Sequence, residues 1–257
     1  MTIPLFKSHY SIGKSILTLG DPVESPDPDG SDSILQIASD NDLKKVVLVE
    51  DSMGGFLEAY KKFEDCGIQL IFGLRLRLCD ENPEKTPPDS LHKVIVFMNN
   101  GDGYKDLINI YTEAFSKNDG CIPLNCFKKL WSPKNLSLAV PFYDGFLHVN
   151  LTRFDGCVAD LRELDPVFFI EANDLPIDNI LKERVLEYCK KNNLKTQKVK
   201  SIYYKNNSDL DSFVTYKLIC SREFSGGRAP SLEAPNLDHF GSNKFSWESY
   251  LECNNTT

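Results

Sequence analysis

The chain has 257 residues, 41% hydrophobic and 26% charged, with a formal net charge of −8 near neutral pH. It is long enough to bury a sizeable core as one α/β barrel-like domain or two smaller ones, and it shows neither the roughly 18-residue apolar run of a membrane helix nor a secretory leader. The acidic balance disfavours autonomous DNA binding, which relies on basic groups neutralising phosphates, and a cytoplasmic protein with reduced thiols is expected.

In chain order, Ile3-Pro4-Leu5-Phe6 reads as a short opening strand, and 33–38 as a helix after a loop rich in Pro, Asp and Ser. Residues 46–49 form a continuous aliphatic run of the kind buried on both faces in parallel sheets. Phe56, Leu57, Tyr60 and Phe63 recur at helical spacing, Gly67 ends that helix, and 68–74 is the next strand. The proline-containing stretch 80–89 is a surface loop before a strand at 94–98, and 104–115 is an amphipathic helix. Strands are expected at 136–140, 145–149 and 167–170, then a helix over 177–192 with Asp174 as its N-cap. The basic stretch from Lys190 to Lys205 reads as a solvated helix end and loop. Strands alternating with helices argue for a parallel barrel or sheet.

Catalytic signatures are sparse. The eight cysteines form no C-x-x-C and no Cys/His cluster, and the four histidines, His9, His92, His148 and His239, share no metal-ligand spacing. There is no G-x-S-x-G and no P-loop; Gly54-Gly55, Gly101-Asp102-Gly103 and Gly226-Gly227 read as turn or helix-entry glycines. Gln69-Leu70-Ile71-Phe72 has the look of a clamp-binding peptide but coincides with an expected core strand.

Several stretches occur in an order that matches one family. Lys7-Ser8-His9-Tyr10-Ser11 resembles its H-S-x-Y-S after the first strand. Met53 to Tyr60, with Gly67 to Gly73, is similar to its L-F-G-A-V-E-F-Y helix and G-I-K-P-I-I-G strand. His92 to Asn100, with Gly103-Tyr104-Lys105-Asp106-Leu107, resembles its Y-H-L-x-L-L-A-x-N…G-Y-x-N-L segment, the most specific of the set. Val167 to Glu171 and Cys220 to Tyr250 resemble its Y-x-L-E-L strand and closing run. The family is the PHP (polymerase and histidinol phosphatase) domain of bacterial DNA polymerase III α subunits.

The resemblance implies a distorted seven-stranded β/α barrel with its site at the C-terminal ends of the strands. The family's opening H-x-H-x-H falls on Ile3, Leu5 and Lys7, and its T-D-H near Leu48, Val49 and Glu50 or, one residue on, Val49, Glu50 and Asp51. Further metal ligands fall on Arg75, Phe142, Leu175, Ser201 and Tyr203. Glu50 and Asp51 can ligate a cation; alkyl groups, phenylalanine and protonated Lys or Arg cannot. No metal, no cofactor and no catalytic residue are therefore expected.

The reading that follows is a catalytically inactive PHP-like domain acting as a structural or protein-interaction module of a replicative polymerase, either free-standing (phage-encoded or split) or part of a longer chain. Its implied partners are the polymerase or a proofreading exonuclease. The alternative is a metal-dependent phosphoesterase or 3′–5′ exonuclease with a site rebuilt around Glu50, Asp51, His9 and Glu171. The barrel is expected over 1–220 and a loop-rich extension over 221–257, with Phe240, Phe245, Trp247 and Tyr250 either meeting a partner or sealing the barrel end.

Overall fold

The computed structural model describes all residues except 25–26, 28–29, 80–90, 118–119, 153–159, 226–241 and 256–257. The strands are β1 (Ile3–Phe6), β2 (Lys45–Glu50), β3 (Gln69–Cys79), β4 (His92–Met98), β5 (Cys121–Pro123), β6 (Leu136–Val140), β7 (Val167–Ile170) and β8 (Lys195–Ile202). The intervening helices are α1 (Ile34–Asp40), α2 (Phe56–Asp65), α3 (Gly101–Lys117), α4 (Leu124–Leu130), α5 (Phe146–Thr152), α6 (Asp178–Asn192), α7 (Leu210–Ser225) and α8 (Trp247–Asn255).

The strands are hydrogen-bonded in the order β2-β1-β8-β7-β6-β4-β3-β5, and a further β2–β3 pairing closes a circuit of seven. This is a mixed α/β fold with a closed seven-strand barrel connectivity. Strand β1 is parallel to both β2 and β8, and β7 is parallel to β6 and β8. Strand β4 departs from the parallel expectation, running antiparallel to β3 and to β6.

Internal contacts divide the chain into two compact units, one of Met1–Phe72, Ala172–Asp178 and Val199–Thr257, the other of Gly73–Glu171 and Asn179–Lys198. The expected boundary at 220/221 falls inside α7. In the first unit Ser33 caps α1 by accepting from the Leu35 and Gln36 amides, and Gly67 ends α2 with a positive φ of 67°. Phe6, Leu48, Phe63, Phe72 and Phe213 are fully or almost fully buried there. In the second unit the antiparallel β3–β4–β6 ladder carries buried Leu74, Leu76, Val94, Val96 and Leu138.

Four local expectations need correction. Residues 146–149 belong to α5, not to a strand: Phe146 and Val149 are both buried, three residues apart, and the Val149 amide donates to the Gly145 carbonyl at 3.0 Å. A Cβ at Gly145 would stand 2.4 Å from the Pro141 carbonyl oxygen, so only glycine lets the chain turn there. Helix α6 starts at Asp178, whose carboxylate accepts from the Asn173 amide at 2.7 Å and the Leu175 amide at 3.2 Å; Asp174 sits at φ 58° and is not the cap. The basic stretch contributes strand β8, exposed in its first half and buried from Val199, with Lys200 donating to the Ala172 carbonyl at 3.0 Å.

The fourth correction concerns the closing segment, which is helical rather than loop-like from Trp247, with Ser246 accepting from the Ser249 amide at 3.0 Å. Phe245 is fully buried and stacks on Tyr203 at 5.4 Å, while Trp247, 4% exposed, stacks on Phe6 at 5.5 Å. These two rings seal the first unit from within and are withdrawn from partner contact. Tyr250 is half-buried against Trp247, its hydroxyl donating to the Thr2 carbonyl at 3.4 Å; Phe240 lies outside the described residues. We expect Phe245→Ala to destabilise the chain by about 3–5 kcal/mol in urea unfolding, as truncation of a well-packed phenylalanine does. A loss below about 1 kcal/mol would mean that the ring is not part of the core.

Candidate functional site

The ends of β1 and β2 bring together a charged cluster that the family resemblance singles out. Parallel pairing of Leu5 with Val47 and Phe6 with Leu48 sets the strands in register, so Lys7 emerges beside the end of β2. Its ammonium lies 3.1 Å from an Asp51 carboxylate oxygen, with the Lys7 side chain 4% exposed and that of Asp51 29%. Glu50 is wholly buried. Its carboxylate accepts from the Ser8 amide at 2.8 Å and from the Ser11 hydroxyl, and that hydroxyl in turn accepts from the Asp51 amide at 2.9 Å.

Burial raises the Glu50 carboxyl above its ordinary 4.5, against the opposing pull of the Lys7 charge and of the Ser11 and Ser8 hydrogen bonds. A neighbouring surface network adds Tyr10, whose hydroxyl donates to Glu58 and holds that carboxyl below the usual range. Lys62 joins it, 3.2 Å from Glu58. His9 stacks obliquely on Tyr10 at 4.5 Å, and its Nδ1 is buried without a hydrogen-bond partner.

The remaining expected positions in this unit hold no ligand array. Leu5, Val49 and Leu175 are buried alkyl groups, and Ile3 is partly buried. Ser201 is 9% exposed, and Tyr203 is clamped between Phe213 at 5.8 Å and Phe245.

In the second unit, Arg75 donates to the Tyr143 carbonyl at 3.2 Å and stands 3.6 Å from Asp144. Phe142 is buried edge-on to Tyr143. Glu171 is buried just after β7, and His92 is buried in β4. His148, expected on a strand, lies on α5 with its Nδ1 accepting from the Asp144 amide at 3.3 Å. His239 is outside the described residues.

These residues do not fit the metal centre that the resemblance implies. Two of the positions hold cations already paired with carboxylates, and several hold buried alkyl or aryl groups. Among the described residues, no group of three or more His, Cys, Asp or Glu stands together to hold an ion. The orphaned His9 nitrogen is a single donor, and a binuclear or trinuclear centre needs several converging ligands. The sequence identified Lys7, Glu50, Asp51 and Arg75 but not the pairing of Lys7 with Asp51, nor Asp144 and Tyr143 as the partners of Arg75. Nor did it mark Ser8 and Ser11 as the groups that hold Glu50.

No protein-family model matches the sequence, and no curated protein matches it. Among solved structures the chain is similar to a candidate metal-dependent phosphoesterase from Bifidobacterium adolescentis, at 11% identity and a TM-score of 0.38, over 78% of this chain and 87% of that one. No helix among the described residues is long and apolar enough to cross a membrane.

The cluster has a pH signature. Because the folded Glu50 carboxyl holds its proton more tightly than the unfolded chain does, its contribution to stability is full below pH 4.5 and is lost as pH rises through the raised folded value. Removing Lys7 takes away the main force opposing that rise. We expect Lys7→Met to lose roughly 3 kcal/mol near neutral pH, the low end for breaking a buried pair because Asp51 is partly exposed. The deficit should shrink as Glu50 protonates at acidic pH. Urea unfolding at about pH 7 and about pH 4 reads this directly, and an equal deficit at both would contradict the Glu50 coupling.

Proposed function

We propose that the chain is a PHP-like domain without metal chemistry that serves a replicative DNA polymerase as a structural or protein-binding module. The observation that carries this reading is Lys7. At the third position of the family's opening metal-binding motif stands a nearly buried ammonium paired with Asp51 at 3.1 Å. Arg75, at another ligand position, supports it with a guanidinium engaged by Tyr143 and Asp144. A fixed cation repels a divalent ion and offers no vacant coordination position for water, so these residues cannot generate the metal-bound hydroxide such enzymes use.

The order of the resembling segments supports descent from the polymerase domain, and a fold without chemistry acts through the surface it presents. The charge of −8 favours protein partners, since its field repels a polyanion. The polymerase itself or a proofreading exonuclease is the partner this reading names.

The test combines three measurements on the purified chain. We expect less than about 0.1 equivalent of zinc, manganese or iron by elemental analysis, because among the described residues the ligands needed for tight binding do not converge. No phosphoester or 3′-terminal nucleotide hydrolysis above background is expected with added manganese or zinc. The cognate polymerase or exonuclease should be retained by the immobilised chain, while duplex and single-stranded DNA are not, near physiological salt. Two or three bound metal ions per chain, or hydrolysis abolished by Glu50→Gln or Asp51→Asn, would establish the rebuilt phosphoesterase instead. Tight DNA binding with no retained protein would also overturn the proposal.

A further inference from the structure

We propose that Asn100 is the chain's site of spontaneous deamidation, converted in the folded protein to aspartate and isoaspartate at a rate that the Asn135 side chain sets. The site lies in the second unit, between β4 and α3, and does not depend on the function proposed above. Asn100-Gly101 is the only Asn-Gly pair in the sequence, and both residues are exposed to water. In such a pair the Gly101 amide nitrogen can reach the Asn100 side-chain carbonyl carbon, because no Cβ on the second residue obstructs the approach.

The two glycines of Gly101-Asp102-Gly103 answer to different constraints. A Cβ at Gly103 would stand 2.5 Å from the Asn135 carbonyl oxygen, so close packing requires glycine there. A Cβ at Gly101 would meet nothing within 4 Å, and Gly101 is not in the left-handed region. Neither packing nor backbone conformation accounts for Gly101, and alanine would suit the first turn of α3 better. What glycine does confer at this position is reactivity on its neighbour. The reaction needs only water. A bond forms between Gly101 N and Asn100 Cγ, the Cγ–Nδ2 bond breaks, and ammonia leaves with the proton that the Gly101 amide gives up. Water then opens the cyclic imide at one carbonyl to give aspartate or at the other to give isoaspartate, in which the main chain runs through Cγ.

The same corner of the fold restrains that reaction. Asn100 Oδ1 accepts from the Gly103 amide at 3.0 Å, the contact of a helix cap. Asn100 Nδ2 donates to Asn135 Oδ1 at 3.1 Å and to the Lys134 carbonyl at 3.4 Å. Asn135 is itself anchored, its Nδ2 donating to Asp106 at 2.7 Å. Turning Cγ toward Gly101 releases the Asn100 bonds, and because they are exposed each is worth little against water. The fold therefore slows the conversion without preventing it, and Asn135 supplies the restraint that a side-chain substitution removes. The products differ from asparagine in what they offer this corner. Aspartate still accepts from Gly103 but has no proton for Asn135, and isoaspartate adds a methylene to the main chain where α3 begins.

Incubation of the full chain in mildly alkaline buffer, folded and in guanidinium chloride, tests this. Peptide mass spectrometry reads the site and extent of conversion, and labelling by an isoaspartate-specific carboxyl methyltransferase identifies the rearranged product. In the folded chain Asn100 should be the first asparagine converted, at least about threefold more slowly than in denaturant, the rate equivalent of releasing one exposed hydrogen bond. Asn135→Ala, kept below its unfolding transition, should speed the folded reaction at least about threefold for the same reason. Gly101→Ala should slow it at least about tenfold without lowering the unfolding midpoint. First conversion at another asparagine, no conversion of folded Asn100 over a period that converts it in denaturant, or equal rates in the two conditions would each overturn the proposal. So would an Asn135→Ala rate equal to that of the unmodified folded chain.

Discussion

The arrangement at the end of β1 and β2 depends on one charge, the ammonium of Lys7. Glu50 is wholly buried, and a buried carboxylate is tolerated only when opposite charge and hydrogen-bond donors surround it. Ser8 and Ser11 supply the donors, and Lys7 supplies the charge while it also holds Asp51. A lysine in this role is covalently fixed, already protonated and without an open coordination position. It can neutralise carboxylates as a metal ion does, but it cannot polarise a phosphoryl oxygen through a vacant site or bind and ionise water.

Arg75 repeats the arrangement in the second unit with different partners. Its guanidinium reaches the Tyr143 carbonyl and Asp144, and Lys93 joins the same carboxylate. Each unit therefore places a cation where the resemblance implies a metal ligand and neutralises that cation locally.

Much of the strand frame was legible because continuous apolar runs such as Val46 to Val49 and Val167 to Ile170 have few alternatives at that length. Helices α2 and α3 were legible from their apolar spacing and, for α2, from Gly67. The failures have particular causes. Phe146-Leu147-His148-Val149 fits an alternating pattern and a three-residue spacing equally well, and the Pro141 carbonyl packed on Gly145 decides for the helix. Strand β8 was hidden by its lysines: at Lys195 the ammonium pairs with Asp165 at 3.0 Å, and at Lys200 it reaches a backbone carbonyl. Helix α8 carried a readable Ser246 cap, but its aromatics suggested an interface, whereas Phe245 and Trp247 turn inward. The candidate site was legible as a set of positions, not as a set of partners. Lys7 and Asp51 are 44 residues apart, and only the register of β1 on β2 makes them neighbours.

The most direct measurement of the account is a double-mutant cycle on Lys7→Met and Asp51→Asn, read by urea unfolding near neutral pH. If Lys7 is the charge on which the cluster depends, the two substitutions together should destabilise less than the sum of their separate effects, with a coupling of at least about 1 kcal/mol. Additivity within about 0.3 kcal/mol would show that Lys7 and Asp51 act independently and would contradict the claim that the cluster depends on the Lys7 ammonium.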